Sequence, residues 1–263
     1  MMSTPAPISS PDHTPSELLT VLSARHLYGK RRVFAGIGLP TLAVALAQAT
    51  TSPDLEQVYE SGVCGAHPPR LPQTIADSPL ATGAEAILGM HALFGYVLQG
   101  GYIDVGFLGA AQIDRWGSLN STVIGDYDAP HTRLPGSGGA AEVMANSDEV
   151  FVVLRRHDPR SFVAELDFCT SPAPSRARRT DPLVRTRGRG VTTVITSLGV
   201  LRAGPDGELW LTATHPGVTV DEVRAATGWP LQVADTVTVT SPPTAAELAL
   251  LRDTIDPTRV YLR

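Results

Sequence analysis

Lysine is nearly missing from this chain. Lys30 stands alone among 263 residues, beside twenty arginines, an imbalance that reads as genome composition. Cysteine is scarce too. Cys64 and Cys169 are too few and too far apart for a disulfide framework or a zinc site, which fits a reducing cytoplasm. No apolar run reaches the ~18 residues that a membrane-spanning helix needs. Positive charge is not in excess: the net charge of −5 argues against a nucleic-acid binder, which would be basic. The N-terminus, MMSTPAPISSPDHTPSE, has neither a basic leader nor an apolar core. It reads as a flexible Pro/Ser tail over residues 1–13 and not as a secretory signal. The seven histidines make no HExxH and no other metal spacing, so no metal site is expected. Neither G-x-S-x-G nor GxxxxGK[ST] occurs, which removes the serine-hydrolase elbow and the nucleoside-triphosphatase loop.

What remains is an ordinary globular composition, 43% hydrophobic and 18% charged. Residues 15–27 carry apolar residues at helical spacing behind Thr14, a natural N-cap. RRVFAGIG (31–38) reads as a buried strand, and TLAVALAQAT as a helix with Pro40 in its first turn. Leu55 to Glu60 reads as a second strand with Glu60 at its carboxyl end. A helix is expected over 84–99, then a strand over 103–109, a short strand around Leu119–Val123, a loop from Ile124 to Gly139, a helix from 140 and a strand over 149–155. The alternation of strands and helices predicts an α/β fold around a largely parallel sheet. Ser171–Gly190, with six arginines against Asp181, reads as an excursion from the core. Beyond it, VTTVITSLGVLR and ELWLTAT read as antiparallel strands turned at Gly204–Gly207. Two helices follow, the first capped by Thr219 or Asp221 and the second by Thr244.

Three segments could carry chemistry. In Tyr59-Glu60-Ser61-Gly62-Val63 an acid follows a strand of an α/β sheet, where ligands bind. A solvated glutamate before a turn is the competing reading. In Gly136-Ser137-Gly138-Gly139-Ala140 the glycines let backbone N–H groups approach an anion just before a helix. A flexible turn has the same composition. The polar run Ala111–Tyr127 is compatible with a binding segment and with a solvated loop in which Asp114 and Asn120 form turns.

Taken together, the three segments resemble the β subunit of family I coenzyme A transferases, and the glutaconate branch most closely. Val58-Tyr59-Glu60-Ser61-Gly62 is similar to that branch's nucleophile motif. Phe107 through Gly109, Ala110-Ala111-Gln112-Ile113-Asp114, Gly117 and Asn120-Ser121-Thr122 are similar to the family's GGAQID…G…NST run. Ile124-Gly125-Asp126-Tyr127, Thr132-Arg133 and Gly136–Ala140 continue it, and Thr170-Ser171-Pro172 closes it. The blocks stand in the family's order from about Gly36 to the C-terminal helix. Cys64–Pro69 and the arginine-rich Ser171–Gly190 depart from the branch and are where substrate choice could differ.

The resemblance implies an open α/β sandwich with a mainly parallel central sheet and flanking helices, forming a CoA-transferase β-type domain over 14–263. It implies Glu60 as nucleophile, passing through an acyl-glutamyl anhydride to a glutamyl-CoA thioester. Gly138 and Gly139 become candidates for the oxyanion hole. Gly136, Ser137, Gln112, Asp114 and Asn120 become candidates for binding substrate or CoA. No cofactor is implied, since CoA is a cosubstrate. A homologous α subunit is implied as partner, in an α2β2 assembly, because a second half is not fused to this chain. The acids exchanged are expected to be dicarboxylic; glutaconate and 3-oxoadipate are both compatible. Decarboxylases and CoA-thioester hydrolases on this fold are the competing enzymes, in which the glutamate is replaced. A silent binding subunit would need neither Glu60 nor the glycine run. A sugar-phosphate isomerase of related topology would want a lysine or paired acids at the site, and Lys30 stands before the first strand.

Overall fold

The structure, a computed structural model, describes residues 12–176 and 186–262. Fourteen strands are found among them: β1 (Arg32–Phe34), β2 (Glu56–Val58), β3 (Val63–Cys64), β4 (Ala86–Ile87), β5 (Val105–Leu108), β6 (Gln112–Ile113), β7 (Leu119–Asn120), β8 (Val123–Gly125), β9 (Pro130–Arg133), β10 (Glu149–Val153), β11 (Val191–Ile195), β12 (Gly199–Ala203), β13 (Leu209–Thr214) and β14 (Gln232–Val239). Ten of them form one sheet in the order β14-β13-β12-β11-β10-β5-β1-β2-β3-β4. The centre, β11-β10-β5-β1-β2, is parallel throughout. Antiparallel strands extend it at both ends, so the expected mainly parallel sheet is present with antiparallel flanks.

The order of the central strands decides where a site can lie. From β1 the chain crosses through α2 (Leu39–Ala49) to β2 on one side, and later returns to β5 on the other. The direction of winding therefore reverses at β1, and a crevice opens beyond the carboxyl ends of its neighbours. The loops after β2 and after β5 border that crevice.

Both faces of the sheet are covered. Val33, Val105, Phe107, Phe151 and Ile195 pack on one side under α1 (Pro15–His26) and α2. Val150, Val152, Val194, Leu201 and Leu211 face the other side with Phe162 and Trp229. The alternation Val150/Phe151/Val152 is the period of two of a strand buried on both faces. α1 is buried along most of its length. Its buried Thr20 and Ser23 hydroxyls donate to the carbonyls of Ser16 and Leu19, so they leave no unpaired polar group in the core. Thr14 caps it in a capping box with Glu17, as its sequence predicts.

Several expected elements are differently placed. The helix expected over 84–99 starts only at α3 (Met90–Ala92) and runs on as a π-helical turn, Leu93–Leu98. Upstream, Glu85 and Leu88 donate to the carbonyls of Cys64 and Gly62, which captures Ala86–Ile87 as the edge strand β4. Cross-strand pairing overrides the helical periodicity there. The strand around Leu119–Val123 breaks into β7 and β8, because the Ser121 N–H turns away to Thr170 Oγ1 at 2.9 Å. The loop from Ile124 contains the hairpin β8–β9 before the helix α4 (Ala140–Asn146). The first two strands are shorter than read, and Glu60 lies in the turn beyond β2 and not at its end. Thr219, not Asp221, caps α5 (Val220–Ala225), and Thr244 caps α6 (Ala245–Ala249), each in a capping box. The edge strand β14 has no counterpart in the sequence reading. Of the tail over 1–13, residues 1–11 lie outside the described residues, as do 177–185 of the arginine-rich segment. Among the described residues no helix is long and apolar enough to cross a membrane.

Candidate active site

Glu60 is presented by a four-residue turn. The Tyr59 N–H donates to the Val63 carbonyl and the Gly62 N–H to the Tyr59 carbonyl, both at 2.9 Å, closing the β2–β3 hairpin. Gly62 has φ +93, and a Cβ on it would lie 1.9 Å from the Leu88 oxygen. Only glycine fits a position with that conformation and that neighbour. Tyr59, 2% exposed, points the other way. Burial pushes its phenol up to about 12 against an opposing effect of nearby Thr41, so it anchors the hairpin as a neutral group.

The glycine run meets Glu60 directly. The Gly139 N–H donates to Glu60 Oε1 at 3.1 Å. Gly138, at φ +47, is beside it: a Cβ there would lie 3.6 Å from the same oxygen. Phe94, from the π-helical turn, approaches the same glycine. A Cβ on Gly139 would fall 2.5 Å from Phe94 Cζ and 3.0 Å from Glu60 Oε1.

A hydrogen-bonded scaffold holds the glycine loop. Ser121 Oγ donates to the Gly136 carbonyl, and the Gly136 N–H returns a bond to the Ser121 carbonyl, both at 2.9 Å. Ser121 is held in turn by Thr170 Oγ1, which also bonds Thr122 Oγ1 at 2.7 Å. Asn120 is fully buried. It donates to Gln112 Oε1 at 2.8 Å and to the Val123 carbonyl at 2.7 Å, and accepts from the N–H groups of Thr122 and Val123. That uses all four of an amide's hydrogen-bonding positions. Gln112 Oε1 also accepts from the Asp167 N–H at 3.1 Å. Asp114, 2% exposed, accepts from the N–H groups of Trp116 and Ser118 and pairs with Arg176 at 2.7 Å.

Of the residues singled out in the sequence, then, Glu60, Gly138 and Gly139 come together, with Gly136 and Ser137 in the same loop. Gln112, Asp114 and Asn120 bond inward and shape the scaffold. Phe94 was not foreseen, because it stands in a run that reads as an amphipathic helix. A cavity of about 460 Å³ lies next to this hairpin, lined by Thr41, Gln57, Tyr59, His67, Arg70 and Ile255 among others, and Glu60 is not in its wall. His67, Pro68 and Pro69 of the divergent segment belong to that wall. Among the described residues no three His, Cys, Asp or Glu side chains gather to hold a metal ion.

Known proteins share the fold and much of the sequence. The family profile "Coenzyme A transferase" matches residues 19–226. The B subunit of the 3-oxoadipate CoA-transferase of Pseudomonas knackmussii is 43% identical over 242 residues, covering 91% of this chain and 92% of that one. The B subunit of the glutaconate CoA-transferase of Acidaminococcus fermentans is 29% identical over 262 residues, 96% of each chain. The crystal structure of glutaconate coenzyme A-transferase from the same organism superposes with a TM-score of 0.85 at 27% identity, covering 96% of this chain and 98% of that one. The decarboxylase AibA/AibB superposes with a TM-score of 0.80 at 31% identity over 94% of this chain and 97% of that one. With a profile spanning most of its length and a relative at 43% identity, this chain belongs to the coenzyme A transferase family, among its B subunits.

Proposed function

We propose that this chain is the nucleophile-bearing subunit of an enzyme that moves CoA between an acyl-CoA and a free dicarboxylic acid, with Glu60 carrying the group. One observation supports this most: the glutamate in the turn after β2 has one carboxylate oxygen held by the backbone N–H of Gly139. The Glu60 carboxylate attacks the donor thioester, giving an acyl-glutamyl anhydride and CoA thiolate. The thiolate attacks the glutamyl carbonyl, the donor acid leaves, and a glutamyl-CoA thioester remains. The acceptor carboxylate then attacks that thioester, and the freed thiolate takes the acceptor acyl group, restoring Glu60. When thiolate or acceptor attacks the glutamyl carbonyl, negative charge develops on the glutamyl oxygen itself. The Gly139 N–H already points at that atom, so the oxyanion hole is preorganised for the enzyme's own carbonyl. CoA enters as a cosubstrate.

A decarboxylase is the second reading, since one similar structure bears that name. Decarboxylation needs no carboxylate nucleophile, and an intact Glu60 held by a backbone donor favours transfer. That the relatives are B subunits supports a homologous α partner in an α2β2 assembly. The acid pair follows the same relatives: 3-oxoadipate and glutaconate are both dicarboxylates. The test is chemical trapping. The assembled enzyme incubated with succinyl-CoA, then treated with borohydride, should carry a reduced adduct at Glu60 by mass spectrometry. An adduct elsewhere, or near-normal transfer by Glu60→Ala, refutes the reading.

A further inference from the structure

An acylated glutamate is open to attack by water as well as by thiolate or carboxylate, and only the latter two give transfer. We propose that Phe94 is the residue that keeps water from the Glu60 carbonyl and so decides between transfer and hydrolysis. The inference rests on the reading of Glu60 as an acyl carrier.

The geometry is specific. Phe94 Cζ and Cε1 lie 2.5 and 2.6 Å from the point where a Gly139 Cβ would stand, and Glu60 Oε1 lies 3.0 Å from the same point. The edge of the ring and the carboxylate therefore share one side of Gly139. The ring edge thus borders the approach to that oxygen. It is held there from behind, edge-on to Phe34 at 5.9 Å between centroids. Phe94 and Phe34 belong to an apolar cluster with Val58, Leu93, Leu98 and Val143. An ordered water needs two to four polar partners, and an aromatic edge supplies none. The π-helical turn Leu93–Leu98 that carries Phe94 is a rare conformation, found frequently at functional sites.

In the suppressed side reaction, a water oxygen adds to the glutamyl carbonyl and the C–S bond breaks. CoA leaves as thiolate, and the water's protons pass to that thiolate and to solvent, leaving the Glu60 carboxylate. The net result is acyl-CoA hydrolysis with no oxidant or cofactor. Phe94 does not touch the electron flow; it is a shielding residue.

The test uses the chain assembled with its partner subunit. CoA release from succinyl-CoA (glutaryl-CoA if succinyl-CoA is not turned over) is followed with a thiol reagent without acceptor acid. Transfer is followed with 3-oxoadipate or glutaconate. For Phe94→Ala the borohydride-trappable adduct should still form, its lifetime without acceptor should shorten, and the ratio of hydrolysis to transfer should rise by about tenfold or more. Phe94→Leu should restore most of the lost selectivity. Were Phe94→Ala not to fold, Phe94→Leu and Phe94→Val, which keep a side chain on Phe34, are read for the same ratio in proportion to size. An unchanged ratio and adduct lifetime overturn the shielding role, as does a variant that fails to form the adduct at all. A wild-type enzyme that traps nothing at Glu60 overturns instead the reading of the site.

Discussion

Two adjacent glycines border Glu60, each constrained for a different physical reason. Gly139 has φ −83, which any residue adopts; its constraint is space, with Phe94 2.5 Å and Glu60 Oε1 3.0 Å from a would-be Cβ. Gly138 has room but sits at φ +47, where a side chain costs roughly 1–2 kcal/mol of backbone strain. Gly139→Ala must push the loop off Glu60 and break the N–H bond to it. Turnover should fall by about 10²–10³ with little change in KM, as expected for a lost oxyanion donor. Gly138→Ala should cost markedly less. Steady-state kinetics of the two variants check the order; equal losses, or a Gly139→Ala defect confined to KM, contradict it.

At the scale of elements, the loop after β10 is tied to its neighbours through a buried histidine. His157 stacks on Phe162 with centroids 3.6 Å apart, and its ring nitrogens meet Thr196 Oγ1 and Thr227 Oγ1, each at 3.0 Å. Burial lowers its pKa from 6.5 to about 4, with Asp158 opposing weakly. The folded state thus holds the ring neutral where the unfolded chain protonates it. The contribution is fully present above pH 6.5 and is lost as pH falls through about 4, an effect of about 3 kcal/mol for one site. Denaturant unfolding at pH 7.5 and pH 5 should show lower stability at pH 5. His157→Gln should flatten that difference while lowering stability at pH 7.5. A pH dependence unaltered by the substitution would assign the acid step elsewhere.

For the molecule as a whole, the exposed surface beside the site is the telling feature. Ile87, Met90 and Tyr96 are 65%, 63% and 73% exposed, on the edge strand β4 and the helical segment that follows it. Leu88 of the same stretch is hydrogen-bonded to Gly62, so the apolar patch adjoins the Glu60 turn. Large exposed apolar side chains gathered at one edge mark an interaction surface, and the α subunit is the occupant we propose. Ile87→Arg and Tyr96→Arg should each weaken assembly by about tenfold or more, as loss of an interface anchor does. The isolated chain should keep its circular dichroism spectrum. Sedimentation velocity of the mixed subunits decides it: assembly undisturbed by both substitutions would place the interface elsewhere.

Much of this was legible in one dimension because its causes are local. Thr14, Thr219 and Thr244 cap helices through residues three positions away. Gly62 follows Glu60 because a tight turn demands it. Glu60 and the glycine run stood out in the sequence with no sign there that they touch. Long-range pairing decided the rest. Ala86–Ile87 became a strand because carbonyls of the β2–β3 hairpin captured the N–H groups flanking them. β14 pairs with β13 at the edge of the sheet, although the alternation Thr236-Val237-Thr238-Val239 already carries a strand signal. Asn120 and Gln112 stood out as polar residues that bind a ligand or shape the site; burial turns them on each other, and the cost of an unpaired buried amide favours that bond. Phe94 became part of the site only when a π-helical turn and the glycine loop met across the crevice. The turn that presents Glu60 was written in its neighbours along the chain; the aromatic ring and the backbone N–H beside it come from residues 34 and 79 positions away, which only the folded sheet brings to it.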